Sequence, residues 1–169
     1  VLARVGLVAY AAHPLLRAVG VDRSFYTPLS SAALQRFARQ VPADFRFLMK
    51  AHAALTTPKS APRPAFLQAA PQAFLDAEYA RRVVIEPARL AWGDKLGVVL
   101  FQFSPLGPRV LEYRARLLER LADFLHALPR GISRIVLLGG FALAVFPLMP
   151  SAWAAAPALA VIGACSLVS

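Results

Sequence analysis

Residues 96–103 read LGVVLFQF, and this stretch decides the fold. Every side chain in it is apolar except Gln102, with Gly97 adding none. A strand that is apolar at nearly every position belongs in a sheet covered on both faces, the environment of parallel strands joined by helical crossovers. The stretch therefore predicts a strand of a parallel α/β sheet.

Two shorter stretches upstream predict further strands of the same sheet. Residues 18–22 (AVGVD) form a short apolar run, and residues 45–50 (FRFLMK) alternate in character and end in lysine. Between them, Pro28 and either Ser30 or Ser31 mark a helix start, and Leu34 and Phe37 fall on the apolar face of that helix.

Helices are expected before, between and after these strands. Apolar side chains recur at three- and four-residue steps over 110–128, and Pro129 ends that helix. Weaker patterns predict a helix over 2–12 and another over 73–90, with a break at Pro87. The resulting alternation is typical of a right-handed βαβ series.

Residues 56–71 predict a long loop. The stretch is rich in proline and alanine and shows no helical or strand periodicity. Long ordered loops are often functional, so this segment is a candidate contributor to a site.

Three motifs resemble those of the domain-of-unknown-function 72 family, the YecE-like TIM-barrel proteins. Residues 19–29 (VGVDRSFYTPL) resemble the family's second-strand motif, residues 45–50 (FRFLMK) a strand closing on lysine, and residues 94–105 (DKLGVVLFQFSP) a Leu-Gly-x-x-Leu-Phe-Gln motif. The motifs occur in family order, and the resemblance covers about residues 1–130. It implies an α/β fold, a partial TIM (β/α) barrel in which parallel strands alternate with helices.

The chain also departs from the family pattern. The family's first strand, with its Gly-Trp motif, is absent upstream of Val1; Gly20 stands where many members have glutamate, and Ser104 where many have proline. A complete barrel needs about 250 residues, whereas this chain has 169. We therefore expect a fragment of a bacterial barrel protein: a partial barrel over 1–131 and a hydrophobic tail over 132–169.

In such a barrel the residues at the carboxyl ends of the strands face the site. The resemblance and the strand pattern agree on the candidates that follow or end the three strands: Asp22, Arg23, Ser24, Tyr26, Lys50, His52 and Gln102. As ligand contacts, Asp22 could accept a hydrogen bond, Lys50 could stabilise an anion, and Gln102 could orient a polar group.

Each candidate also has an ordinary structural alternative. These are a loop ion pair for Asp22 and Arg23, a solvated strand end for Lys50, core packing for Tyr26, and a structural contact for His52. Two functions stay open. The intact protein binds or processes a small polar ligand at the carboxyl-terminal face of the barrel, or the chain is a non-catalytic fragment associated with the membrane through its tail.

Several other functions lack the motifs they require. Ser24 has no Gly-x-Ser-x-Gly elbow, no phosphate loop or dinucleotide fingerprint names a cofactor, and no Cys/His spacing predicts a metal site. The net charge of +10 comes mostly from scattered arginines, which indicates coding bias rather than a specific nucleic-acid signal. The single cysteine, Cys165, excludes an intrachain disulfide and fits the reducing cytoplasm.

The tail contains no Lys, Arg, Asp or Glu after Arg134. About 20 apolar residues can span a bilayer, but Pro147, Pro150 and Pro157 divide the stretch into short pieces. Three interpretations stay open: an out-of-frame translation, a membrane segment or hairpin, and a divergent barrel strand and helix. The second would place the protein at the membrane through residues 135–169.

Overall fold

Four parallel strands form the centre of the molecule. A computed structural model describes residues 2–58, 61, 64–103, 114–138, 141–145 and 160–163. The parallel strands lie side by side in chain order: β1 (Ala18–Val21), β2 (Arg46–Lys50), β3 (Leu96–Phe103) and β4 (Ser133–Leu138). Two antiparallel strands then extend the sheet: β5 (Phe141–Val145) and β6 (Ala160–Gly163). The predicted parallel pairing of the first three strands is confirmed.

Helices connect these strands, which gives the α/β arrangement of a partial (β/α) barrel. They are α1 (Leu2–Ala11), α2 (Arg23–Tyr26), α3 (Ser31–Arg39), α4 (Ala77–Tyr79), a π-helix (Ala80–Ile85), α5 (Glu86–Trp92) and α6 (Arg114–Ala127). Short 3-10 turns lie at Ala53–Leu55, Ala65–Leu67 and Gly93–Lys95. The predicted start of α3 is confirmed, because the Ser30 side chain accepts a hydrogen bond from the backbone N–H of Ala33.

One face of the sheet is buried against helices. Its side chains come from alternate strand positions: Phe47, Met49, Val99 and Phe101 are at most 2% exposed. The ring of Trp92 in α5 stacks on Phe47 with centroids 4.4 Å apart. Burying large side chains in this way contributes about 1.5–3 kcal/mol each.

The other positions along the strands define a second face, which we call the open face. Its members are half-buried or exposed: Gly20, Leu48, Lys50, Leu100 and Gln102. In a closed barrel, one of the two alternating sets of strand residues points to the interior. The open face is the set that the helices leave uncovered.

The helix predicted over 73–90 differs from the one observed. It begins at Ala77, where the Asp76 carboxylate accepts a hydrogen bond from the N–H of Tyr79 at 2.9 Å, and it continues through Pro87 instead of breaking there. Proline lacks an N–H, and its ring clashes with the carbonyl four residues earlier in an α-helix. The wider π-helical turn that ends at Ile85 accommodates this proline.

The segment after residue 131 continues the sheet, because β4 pairs parallel to β3 with Val99 opposite Arg134. The three interpretations of the tail depend mostly on residues 146–159 and 164–169. These residues lie outside the described part of the chain. In the part of the chain that the structure describes, no helix combines the length and apolar character needed to cross a bilayer. The division of the chain at residue 131 stays a prediction.

Candidate functional site

The carboxyl ends of β1 and β2 bring two predicted site residues together. Val21 and Met49 are register partners, so Asp22 and Lys50 follow them side by side. The Nζ atom of Lys50 lies 3.1 Å from Oδ1 of Asp22. The Lys50 side chain is 20% exposed and the Asp22 side chain 72% exposed. The ammonium is therefore held in place, while the carboxylate keeps lone pairs that a ligand can reach.

Three aromatic rings pack on one another, and Phe25 joins them to this ion pair. We call them the aromatic cluster: Phe25 and Tyr26 from α2, and Phe66 from the turn Ala65–Leu67. Tyr26 lies 5.3 Å from Phe25 and 5.1 Å from Phe66, measured between ring centroids. The Nζ atom of Lys50 lies 5.4 Å from the centroid of Phe25, within the range of a cation–π contact. The cluster and the ion pair therefore form one continuous surface.

Phe66 was not among the residues predicted from sequence. It belongs to the long loop over 56–71, and no periodicity marks it there. The signal that could have found it is its chemistry, because it is the one aromatic residue in that loop. Its neighbour Leu67 is fully buried in a small cluster with Ala54 and Ala73, and this packing holds Phe66 against α2.

Ser24 positions α2 on the two strand ends. Its Oγ atom lies 2.7 Å from the carbonyl oxygen of Val21 and 2.6 Å from that of Lys50, and the residue is 1% exposed. The hydroxyl proton can be donated to either carbonyl, so the side chain joins the last residues of β1 and β2. Ser24 thus supports the neighbouring side chains from below the surface.

His52 follows the end of β2 but is buried, with 2% of its surface exposed. Its Nδ1 atom lies 2.8 Å from the hydroxyl oxygen of Tyr79, and the tautomer decides which group donates the proton. Burial raises the pKa of Tyr79, because the phenolate is more costly to desolvate than the neutral phenol. His52 is therefore buried and Tyr79 half-buried, and Tyr79 packs against the same small cluster of buried residues as Phe25.

The remaining two candidates are exposed at the same edge of the sheet. Arg23 is an exposed residue of α2, and Gln102 lies on the open face near the end of β3. Because Lys50 pairs with Leu100, Gln102 lies two residues further along the adjacent strand. Strand spacing and rise put the Cα atoms of Lys50 and Gln102 roughly 8 Å apart.

The amino end of the sheet carries a different feature, a cleft of about 330 Å³. Its lining includes the charged residues Arg89 and Asp94 together with Gly97, Ile132 and Ser133. This cleft lies at the opposite end of the strands from the Asp22–Lys50 pair. Within the described ranges, no group of three histidine, cysteine or acidic side chains is arranged to hold a metal ion.

Parallel strands that alternate with helices, with polar side chains gathered at their carboxyl ends, define the α/β class to which this chain belongs. The family model described as "Protein of unknown function DUF72" matches residues 2–145, so the chain is a member of that family. The match confirms the resemblance carried by the three motifs and extends it past residue 130. No curated protein matches the chain.

Solved structures similar to this chain include two crystal structures of a DUF72 family protein from Enterococcus faecalis V583. Both are 21% identical to the chain over 78% of its length, with TM-scores of 0.43 and 0.46. The alignments cover 46% and 42% of those chains. The chain therefore spans less than half the length of these relatives.

Proposed function

We propose that the carboxyl end of the sheet binds a small polar ligand. The observation that carries this proposal is the Asp22–Lys50 ion pair, which Phe25 joins to the exposed rings of the aromatic cluster, at the edge where barrel proteins build their sites. An apolar wall combined with a few fixed polar groups is the usual composition of a small-molecule site.

The ion pair supports this proposal because the fold has little need of it. Exposed or half-exposed pairs stabilise proteins by about 0–1 kcal/mol. Lys50 is nonetheless held by Asp22 on one side and by the ring of Phe25 on the other. A pre-positioned ammonium loses less conformational entropy when it binds a ligand than a freely moving one does.

The amino end of the sheet offers a matched control. Arg17 and Asp44 form an ion pair at 3.6 Å, and both side chains are exposed, at 61% and 66%. Asp22→Asn and Asp44→Asn therefore make the same chemical change at two carboxylates of similar exposure, at opposite ends of the strands.

Saturation-transfer NMR against a mixed library of neutral, acidic and basic small polar compounds tests the proposal. We expect at least one compound to bind, and we expect Asp22→Asn and Lys50→Met to weaken that binding about tenfold, the loss of one charged hydrogen bond. Asp44→Asn should bind as the parent chain does. Binding that responds equally to both Asp→Asn changes, or a library without any binder, would contradict the proposal.

A further inference from the structure

We infer that the ligand is a neutral polyhydroxylated ring, of the sugar class, that packs its C–H face on Tyr26 and Phe66. This inference rests on the proposed function of the same site and names the chemistry of its ligand. Three observations carry it: the exposure of the two rings, the adjacency of opposite charges, and the cation that already covers Phe25.

The two outer rings of the aromatic cluster are left exposed. Tyr26 is 52% exposed and Phe66 43% exposed, and their ring planes meet at 71° to form a corner. Covering the face of a large aromatic side chain removes apolar surface from water, which is favourable. A sugar ring offers a face of C–H groups that can cover such a ring while its hydroxyls stay available to polar partners.

The polar half of the site suits hydroxyl groups. Asp22 supplies acceptors and Lys50 supplies donors within 3.1 Å of each other. A hydroxyl both donates and accepts, so two adjacent hydroxyls can satisfy the carboxylate and the ammonium without separating them. The Gln102 amide, exposed on the adjacent strand, also presents one donor group and one acceptor.

Charged ligands fit this surface less well. An anion would compete with Asp22 for Lys50 and would lie beside the Asp22 carboxylate, which is 72% exposed. A cation would meet the Lys50 ammonium, which already lies over the face of Phe25 at 5.4 Å. A neutral ligand avoids both repulsions and keeps the ion pair intact.

Three probes that share one ring separate these cases: glucose, glucuronate and glucosamine are the neutral, anionic and cationic forms. In saturation-transfer NMR on the full chain, we expect the strongest transfer to glucose or to another neutral monosaccharide such as galactose, mannose or xylose. The saturated protons should be the C–H protons of one ring face.

Ring-removing variants locate the contact. Tyr26→Ala and Phe66→Ala should each weaken monosaccharide binding about tenfold, the effect of losing one aromatic stacking partner. Tyr26→Phe keeps the ring and should bind within about twofold of the parent. Leu90→Ala removes an 88% exposed apolar side chain from α5 and should leave binding unchanged.

The outcomes distinguish this inference from the proposed function beneath it. Preferential binding of glucuronate or glucosamine, lost on Lys50→Met or Asp22→Asn, would overturn the inference that the ligand is neutral and would still support a small-ligand site. Neutral sugars that bind equally well to Tyr26→Ala and Phe66→Ala would overturn the stacking geometry. If none of the three probes and no compound of the mixed library shows saturation transfer, both the sugar inference and the proposed function are wrong.

Discussion

Two lysines at opposite ends of the same sheet have opposite surroundings. At the amino end, Nζ of Lys95 donates to the carbonyl oxygens of Ala38, in the last turn of α3, and Val41, in the loop after it, at 2.8 and 2.9 Å. At the carboxyl end, Lys50 meets the exposed carboxylate of Asp22 and an aromatic face. Lys95 therefore stabilises the fold, whereas Lys50 is available to contact a ligand.

The aromatic residues show the same contrast. Phe47 near the amino end of β2 is fully buried against Trp92, whose indole N–H donates to the carbonyl of Leu34 at 2.8 Å. Tyr26 and Phe66 at the carboxyl end are about half exposed. Stability should therefore respond to changes at one end, and binding to changes at the other.

The largest effect on stability is expected at Phe47. Phe47→Ala leaves a cavity beside Trp92 and should lower the free energy of unfolding by about 3–5 kcal/mol, as measured by urea denaturation. Phe66→Ala removes a ring of the same size from the opposite end and should cost less than about 1 kcal/mol, because much of that ring already meets solvent. If the two variants lose the same free energy of unfolding, the two ends of the sheet do not differ in their contribution to stability.

The two lysines provide the next test. Lys95→Met removes two charged hydrogen bonds from backbone carbonyls and should destabilise the protein by about 1.5–3 kcal/mol. Lys50→Met should cost about 1 kcal/mol or less, since its partner Asp22 stays solvated. Chemical denaturation of both variants gives the comparison, and a larger loss for Lys50→Met would show that Lys50 serves the fold.

Ser24 links the fold to the carboxyl end. Ser24→Ala leaves the carbonyls of Val21 and Lys50 without this hydroxyl and should lower the free energy of unfolding by about 1–2 kcal/mol. Ser31→Ala, at an exposed position in α3, is the control and should stay within about 0.5 kcal/mol of the parent. If both variants unfold at the same urea concentration, Ser24 does not hold α2 in place.

The smallest effect concerns the partly buried His52–Tyr79 contact. Tyr79→Phe should cost about 0.5–1.5 kcal/mol at neutral pH. Burial raises the pKa of Tyr79 above its ordinary value of 10.0, so the folded state holds the phenolic proton more tightly than the unfolded state does. That stability is fully present below pH 10.0 and is lost as the pH rises through the raised pKa. Thermal unfolding from pH 8 to 11 should therefore show a shallower alkaline decline for Tyr79→Phe; identical slopes would contradict the assignment.

The strands were predictable because their signals are local. The apolar run of β3 and the ends of β1 and β2 can be read from side-chain alternation, and the proximity of Asp22 to Lys50 follows from parallel pairing. The continuation of the helix through Pro87 was not predictable, because it depends on a π-helical turn that has no periodic signature. Phe66 was missed for a related reason, since the burial of Leu67 that positions it is a tertiary contact.

Binding of a ligand at the carboxyl end of the sheet is tested most directly by mapping amide chemical-shift changes onto the two ends of the sheet. Neutral monosaccharides should be titrated into the isotopically labelled full chain. We expect the perturbed amides to cluster at residues 22–26, 50, 66 and 102, around the Asp22–Lys50 pair and the aromatic cluster. Perturbations confined to residues 89–97 and 131–133, around the cleft at the amino end, would contradict this expectation.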